Sequence, residues 1–176
     1  MKGTIKLETE RLILRRFCLS DAQNMYNNWA NDKEVTKYLT WLPHASVGVT
    51  EGVISDWMNN YDKPDFYQWA ICLKDDNVPI GSIGAVSVVG DKAEIGYCLG
   101  EKYWFQGYMK EAFKRVIEYL SDEEGFTEIS AKHDTENVNS GKVMKKCGLE
   151  LVGILPSSGK RGDGTVCDLA LYKLSK

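Results

Sequence analysis

The stretch Glu94-Ile95-Gly96-Tyr97-Cys98-Leu99-Gly100-Glu101-Lys102-Tyr103-Trp104-Phe105-Gln106-Gly107-Tyr108-Met109-Lys110-Glu111-Ala112 reads as a strand, a short glycine-punctuated loop, and the first turns of an amphipathic helix. After Gly107 the apolar residues Tyr108, Met109, Ala112, Phe113, Val116, Ile117 and Leu120 form one stripe at helical period. Lys110, Glu111, Lys114, Arg115 and Glu118 take the opposite face. Such a helix docks firmly on a core, and its N-terminus presents unpaired backbone N–H groups and the positive end of the helix dipole. A loop ending there suits a phosphate or pyrophosphate, and this one has no metal-ligating residues built into it. Neither a Gly-x-x-x-x-Gly-Lys-Ser/Thr string nor a Gly-x-Gly-x-x-Gly fingerprint opens the helix, which disfavours a kinase-like nucleotide binder.

On the N-terminal side, residues 12–17 read as a strand, and Ser20-Asp21 as the N-cap of a helix reaching about Ala30. A short helix over 32–39 is broken at Trp41-Leu42-Pro43, and another runs from about 50 to 60. Strands follow at 67–74, 79–89 and 93–99, with turns at Asp75-Asp76-Asn77 and Gly90-Asp91-Lys92. On the C-terminal side the pattern predicts a strand over 128–133, a helix over 139–147 ended by Gly148, and a strand over 149–155. Residues 156–164 read as a polar glycine-rich loop, and 166–174 as the last strand. Strands first and strand–helix alternation afterwards predict an α/β domain spanning 1–176, one mixed central sheet with helices on both faces.

The bulk properties narrow the partners. At 176 residues the chain is long enough for one sizeable core, and 43% hydrophobic with 27% charged residues is ordinary for a globular protein. A net charge of −3 gives no footprint for nucleic acid. Cys18, Cys72, Cys98, Cys147 and Cys167 are scattered without Cys-x-x-Cys spacing, which fits reduced thiols in the cytoplasm and argues against zinc. His44 and His133 are too few for a histidine-rich metal site, and no window approaches the ~20 apolar residues of a membrane span. The composition leaves a homodimer open.

The run Trp104-Phe105-Gln106-Gly107-Tyr108-Met109-Lys110-Glu111-Ala112 after Ile95-Gly96-Tyr97-x-Leu99 resembles the coenzyme A pyrophosphate loop of the GNAT N-acetyltransferases. The likeness extends to the branch of ribosomal-protein N-terminal acetyltransferases. Thr9-Glu10-Arg11-Leu12-Ile13-Leu14-Arg15 is similar to its opening strand. Glu136-Asn137-Val138-Asn139-Ser140, then Lys146-Cys147-Gly148-Leu149, is similar to its Asn-x-x-Ser helix and the strand after it. Asp163-Gly164 with Asp168 resembles its closing hairpin, so ordered matches run from about residue 7 to 174. The resemblance implies a splayed pair of central strands with acetyl-CoA wedged between them, an amine as acceptor, direct transfer, and no metal.

It also implies site residues. Backbone amides from Phe105, Gln106, Gly107, Tyr108, Met109 and Lys110 hold the pyrophosphate, and Gly107 lets the backbone approach closely. The family often has Gly, Ala and Thr where Phe105, Met109 and Lys110 stand, changes that backbone contacts tolerate. Tyr97, Cys98 and Leu99 pair with the pantetheine arm like an added strand, and Asn137 hydrogen-bonds that arm. Lys142, Lys145 and Lys146 serve a phosphate as readily as a solvated helix face, and Lys146 joins the cofactor-binding set. Ser140 corresponds to the serine that protonates or stabilises the leaving thiolate. Many GNAT enzymes use a tyrosine four residues later, where this chain has Met144. That position keeps a non-catalytic acyl-CoA-binding sensor open as the alternative. A base must also take the amine proton: Glu94 is the first candidate, with His133 behind it. Ser140 and Asn137 are equally placed to cap a helix, Glu94 to be a surface carboxylate, and Cys98 to be a small buried hydrophobe rather than an acyl carrier. Trp41, His44, Tyr67 and Trp69 are candidates for the acceptor pocket.

Overall fold

The apolar run broken at Gly90-Asp91 folds as a hairpin. In the computed structural model, which describes residues 1–175, β4 (Pro79–Val89) and β5 (Lys92–Leu99) pair antiparallel, and Gly90 turns between them at φ +60°. Further strands build one eight-stranded sheet on this hairpin: β1 (Leu7–Glu8), β2 (Leu12–Arg15), β3 (Gln68–Leu73), β6 (Glu128–Asp134), β7 (Glu150–Lys160) and β8 (Val166–Ser175). The strand order is β1-β2-β3-β4-β5-β6-β8-β7. Neighbours are antiparallel except β5 and β6. A parallel pair needs a crossover, and α4 (Tyr108–Glu118), continued by a π-type turn over Tyr119–Glu123, supplies it.

Strand alternation sorts side chains onto two faces. Trp69 and Ile71 of β3 join Leu14, Ile83, Ile95 and Ile129 under α4 and α5 (Val138–Lys146). Ala70 and Cys72 point the other way. They meet Met25, Trp29 and Ile54 from α1 (Ala22–Met25, continued by a π-type turn over Tyr26–Ala30) and α3 (Val47–Asn60). The predicted two-sided sheet is therefore the observed one. The helical stripe buries Met109, Ala112, Phe113, Val116 and Ile117, and each large apolar side chain so removed from water contributes about 1.5–3 kcal/mol. This anchoring holds the start of α4 in place.

Local departures have local causes. Asp21 stands at the N-cap of α1 but its side chain does not cap that helix, because its carboxylate is engaged by Arg15 through two hydrogen bonds of 2.8 and 2.9 Å and by the Cys18 amide. The helix expected from 50 starts at Val47, where Ser46 accepts from the Val49 amide, and α2 is only Lys33–Thr36, capped by Asp32. The segment expected as a loop from 156 stays extended to Lys160, so β7 is long. It is the edge strand, where the N–H that Pro156 lacks need not cost a ladder bond.

Candidate active site

β5 and β6 pair only from Lys92 with Glu128 to Ile95 with Ala131. Beyond that rung each strand keeps its outer neighbour: β5 stays on β4 as far as Leu99, and β6 on β8 as far as Asp134. The two therefore splay, and the inner edges of residues 96–99 and 132–134 face a gap. The gap is the extended backbone edge that a linear ligand can join as a strand.

At its mouth lies the loop before α4. Trp104 donates its indole N–H to the Leu99 carbonyl at 2.7 Å, which ends the strand and takes that carbonyl out of the ligand-facing set. Phe105 stands at φ +61° and is 85% exposed, where the family often has Gly. Gly107 is the N-cap of α4 at φ +83°, in the left-handed region, and no side chain caps the helix. The amides that follow it are thus left for an anion. The nearest protein atom to a Cβ at Gly107 would be Arg11 Nη2 at 3.5 Å, so backbone conformation rather than crowding selects glycine.

Arg11 is the residue that the sequence reading missed. It donates to the Gln106 carbonyl at 3.1 Å, binds Glu111 of α4 at 2.8 Å, and lies 4.3 Å over the Tyr108 ring. Thr9 Oγ1 also donates to Glu111, at 2.5 Å. The opening strand thus braces the anion loop from one hundred residues away. The only signal for it was the Thr9-Glu10-Arg11 string itself.

At the inner end of the gap the Tyr97 hydroxyl lies 2.9 Å from Ser140 Oγ and donates within 3.1 Å of the Ser140 carbonyl. Asn137 caps α5, its Oδ1 accepting from the Ser140 amide at 3.4 Å, so the capping role is real while its Nδ2 has no acceptor among the described residues. Met144 is buried core. Lys146 is exposed in the last turn of α5, beside Cys147, whose thiol lies 3.7 Å from the Lys110 carbonyl at the loop.

Glu94 and Cys98 point to the opposite face from Tyr97, the face covered by α1 and α3. Lys132 Nζ contacts the Glu94 carboxylate at 2.8 Å, so this group carries its own counter-ion. Burial pushes the Cys98 thiol up, and a thiol kept protonated is a poor nucleophile. His133 does not line this gap. Its Nδ1 contacts the Asp134 carbonyl at 2.7 Å, its ring packs tilted against Tyr172, and its Nε2 is buried beneath Gly141 with no partner among the described residues. Tyr67 and Trp69 are core residues as well, donating to Glu124 and to the Ile5 carbonyl. Of the proposed acceptor aromatics only Trp41 and His44 stay near the surface, 5.2 Å apart.

Trp41 lines a cavity of about 220 Å³ with Lys33, Lys37, Pro43 and Arg161. Arg161 locks its roof: it binds Asp134 at 2.7 Å and Glu136 at 2.8 Å, with its guanidinium 5.1 Å over Tyr38. Burial raises and Arg161 lowers the Asp134 carboxyl, and the net result lies below the usual carboxylate range. Gly162 beside it donates to the Leu39 carbonyl and has no room for a Cβ against Trp41. Among the described residues no group of His, Cys, Asp or Glu is arranged to hold a metal ion. No helix among them is long and apolar enough to cross a membrane.

Known proteins resemble this chain. An uncharacterized N-acetyltransferase, p20, of Bacillus licheniformis is 30% identical over 172 residues, 97% of this chain and 96% of that one. The ribosomal-protein-S5-alanine acetyltransferase of Vibrio fischeri superposes with a TM-score of 0.85 at 18% identity, over 98% of this chain and 97% of that one. The microcin C7 self-immunity acetyltransferase, solved with acetyl-CoA and AMP, superposes with a TM-score of 0.85 at 20% identity, over 96% and 94%. Those two likenesses concern the fold. The profile of the GNAT acetyltransferase domain matches residues 11–150, and with it the splayed strands and uncapped glycine loop take their meaning: the chain belongs to the GNAT acetyltransferase family.

Proposed function

We propose that the chain transfers the acetyl group of acetyl-CoA directly to a primary amine, a protein N-terminus or a small molecule, in a ternary complex in the cytoplasm. One observation carries this reading: the gap opening beyond Ile95 and Ala131 has the uncapped start of α4 at its mouth and a hydroxyl pair, Tyr97 and Ser140, at its inner end. The amides of 105–110 bind the pyrophosphate, with Lys146 near by for a further phosphate. Tyr97, Cys98 and the Leu99 amide take the pantetheine arm, with Asn137 Nδ2 opposite. The acceptor enters from the other face, where Glu94 lies.

The amine lone pair attacks the thioester carbonyl carbon, and main-chain amides at the strand edge stabilise the oxyanion. Glu94, anionic beside Lys132, receives the amine proton through water. The C–S bond then breaks with its electron pair going to sulfur, and Ser140 Oγ–H hydrogen-bonds the departing thiolate.

A thiol-release assay with acetyl-CoA against amines and N-terminal peptides tests the activity. Ser140→Ala tests the assignment: the expected outcome is a kcat lowered about 10²-fold with acetyl-CoA affinity kept. A full-speed variant with a lowered melting point rejects it. Binding of acetyl-CoA without amine-dependent thiol release would establish instead the acyl-CoA sensor that Met144 keeps open.

A further inference from the structure

Resting on the reading of Ser140 as the thiolate's partner, we propose that Tyr97 is a positioning residue whose hydroxyl aims and strengthens the Ser140 O–H toward the leaving sulfur. The strand places the Tyr97 ring under α4, its centroid 5.3 Å from that of Phe113, and carries the hydroxyl across to α5. The proton count decides its direction. Tyr97 owns one O–H and has two acceptors in reach, Ser140 Oγ at 2.9 Å and the Ser140 carbonyl at 3.1 Å. The carbonyl also receives the helical amide four residues on, so the phenol proton can pass from it to Oγ without leaving it unpaired. Burial raises the Tyr97 phenol above its ordinary value, so it is protonated, and able to donate, throughout the neutral range.

Two arrangements of the pair exist. If Ser140 donates to Tyr97, its only proton points away from the gap. If Tyr97 donates to Ser140, the serine proton is released toward the gap and each bond polarises the next. A thiolate forming at the inner end selects the second. An alcohol is a weaker acid than a thiol, so no proton transfer is required: the pair donates a hydrogen-bond chain, Tyr97 to Ser140 to sulfur. Without Tyr97 the Ser140 hydroxyl is free to turn to other acceptors, among them a carbonyl of the preceding helical turn.

Coenzyme A itself is the probe, because its bound thiol can be titrated by the ultraviolet absorbance of the thiolate with no acceptor present. In the full chain, Ser140→Ala should raise the bound thiol's pKa by about one to two pH units, the loss of one hydrogen bond to a charged atom. Tyr97→Phe keeps the ring against Phe113 and should raise it by part of that amount. In the Ser140→Ala background Tyr97→Phe should add nothing, and with Ser140→Thr, which keeps a hydroxyl, its effect should return. An equal Tyr97→Phe effect with and without Ser140, or none while Ser140→Ala shifts the thiol, overturns the positioning role alone. A bound thiol unmoved by Ser140→Ala overturns the Ser140 assignment, and this inference with it.

Discussion

Gly107→Ala separates the structural from the binding role of the glycine loop, because Gly148 provides a matched control. Both glycines sit in the left-handed region, at φ +83° and +94°, one at the start of α4 and one just past α5. Both have space for a methyl group: the nearest atoms to an added Cβ are Arg11 Nη2 at 3.5 Å and Leu174 Cδ1 at 3.8 Å. Alanine therefore costs each site the same conformational term, about 1 kcal/mol. For a chain of 176 residues that is a melting temperature about 2–4 °C lower in either variant. Acetyl-CoA should tell them apart. With the pyrophosphate on the loop amides as proposed, a methyl at Gly107 comes between them, and losing one hydrogen bond to a charged group weakens binding by about 10-fold or more. At Gly148 it meets only the core edge. Scanning calorimetry and titration calorimetry on both variants give the four numbers needed. Equal losses of stability with acetyl-CoA affinity unchanged at Gly107 would refute the placement of the pyrophosphate.

Gly141→Ala should destabilise more than either, since its Cβ would lie 2.6 Å from the buried His133 Nε2; a melting curve matching that of the unchanged protein would contradict the packing. Cys98→Ala should keep thiol-release activity, because a half-buried thiol pushed toward its protonated form is a poor acyl carrier; an inactive but folded variant would revive the covalent route. Asp21 and Asp134 are held below the usual carboxylate range: burial raises them, and hydrogen bonds from Arg15 and Arg161 more than offset it. Depressed folded values mean that this stability is fully present above about pH 4 and is lost as the pH falls through them. The melting temperature should therefore drop below about pH 4, with a shallower acid limb in Arg161→Gln than in the unchanged protein. Prolonged EDTA treatment should leave turnover intact, and loss restored by zinc or magnesium would contradict the metal-free chemistry.

What was legible in the chain was what is local. The 94–112 stretch carries strand, loop, cap and helical stripe within one window, so the anion loop and the helix behind it are read directly. The Asn137 and Ser140 spacing likewise survives as a helix cap with its hydroxyl near the gap. Contacts between remote residues were not legible. Arg11 reaches Glu111 and Gln106, and Tyr97 reaches Ser140 across forty-three positions, because helices α4 and α5 fold back onto a sheet whose residues lie far from them in sequence. His133 at a strand end suited either a second candidate base or a structural role, and only the packing of α5 shows its ring beneath Gly141. Tyr67 and Trp69 misled for the opposite reason: aromatic chemistry suits a pocket, but Trp69 lies on the interior strand β3, Tyr67 just before it, and both are buried. Pro156 signalled a loop, whereas an edge strand accommodates it.

Direct transfer in a ternary complex is tested most directly by initial rates of thiol release, with acetyl-CoA and a productive amine varied against each other. Direct transfer should give reciprocal plots that intersect, since both substrates must be bound before the sulfur departs. Parallel lines, the pattern of an acetylated enzyme that releases coenzyme A before the amine arrives, would contradict it.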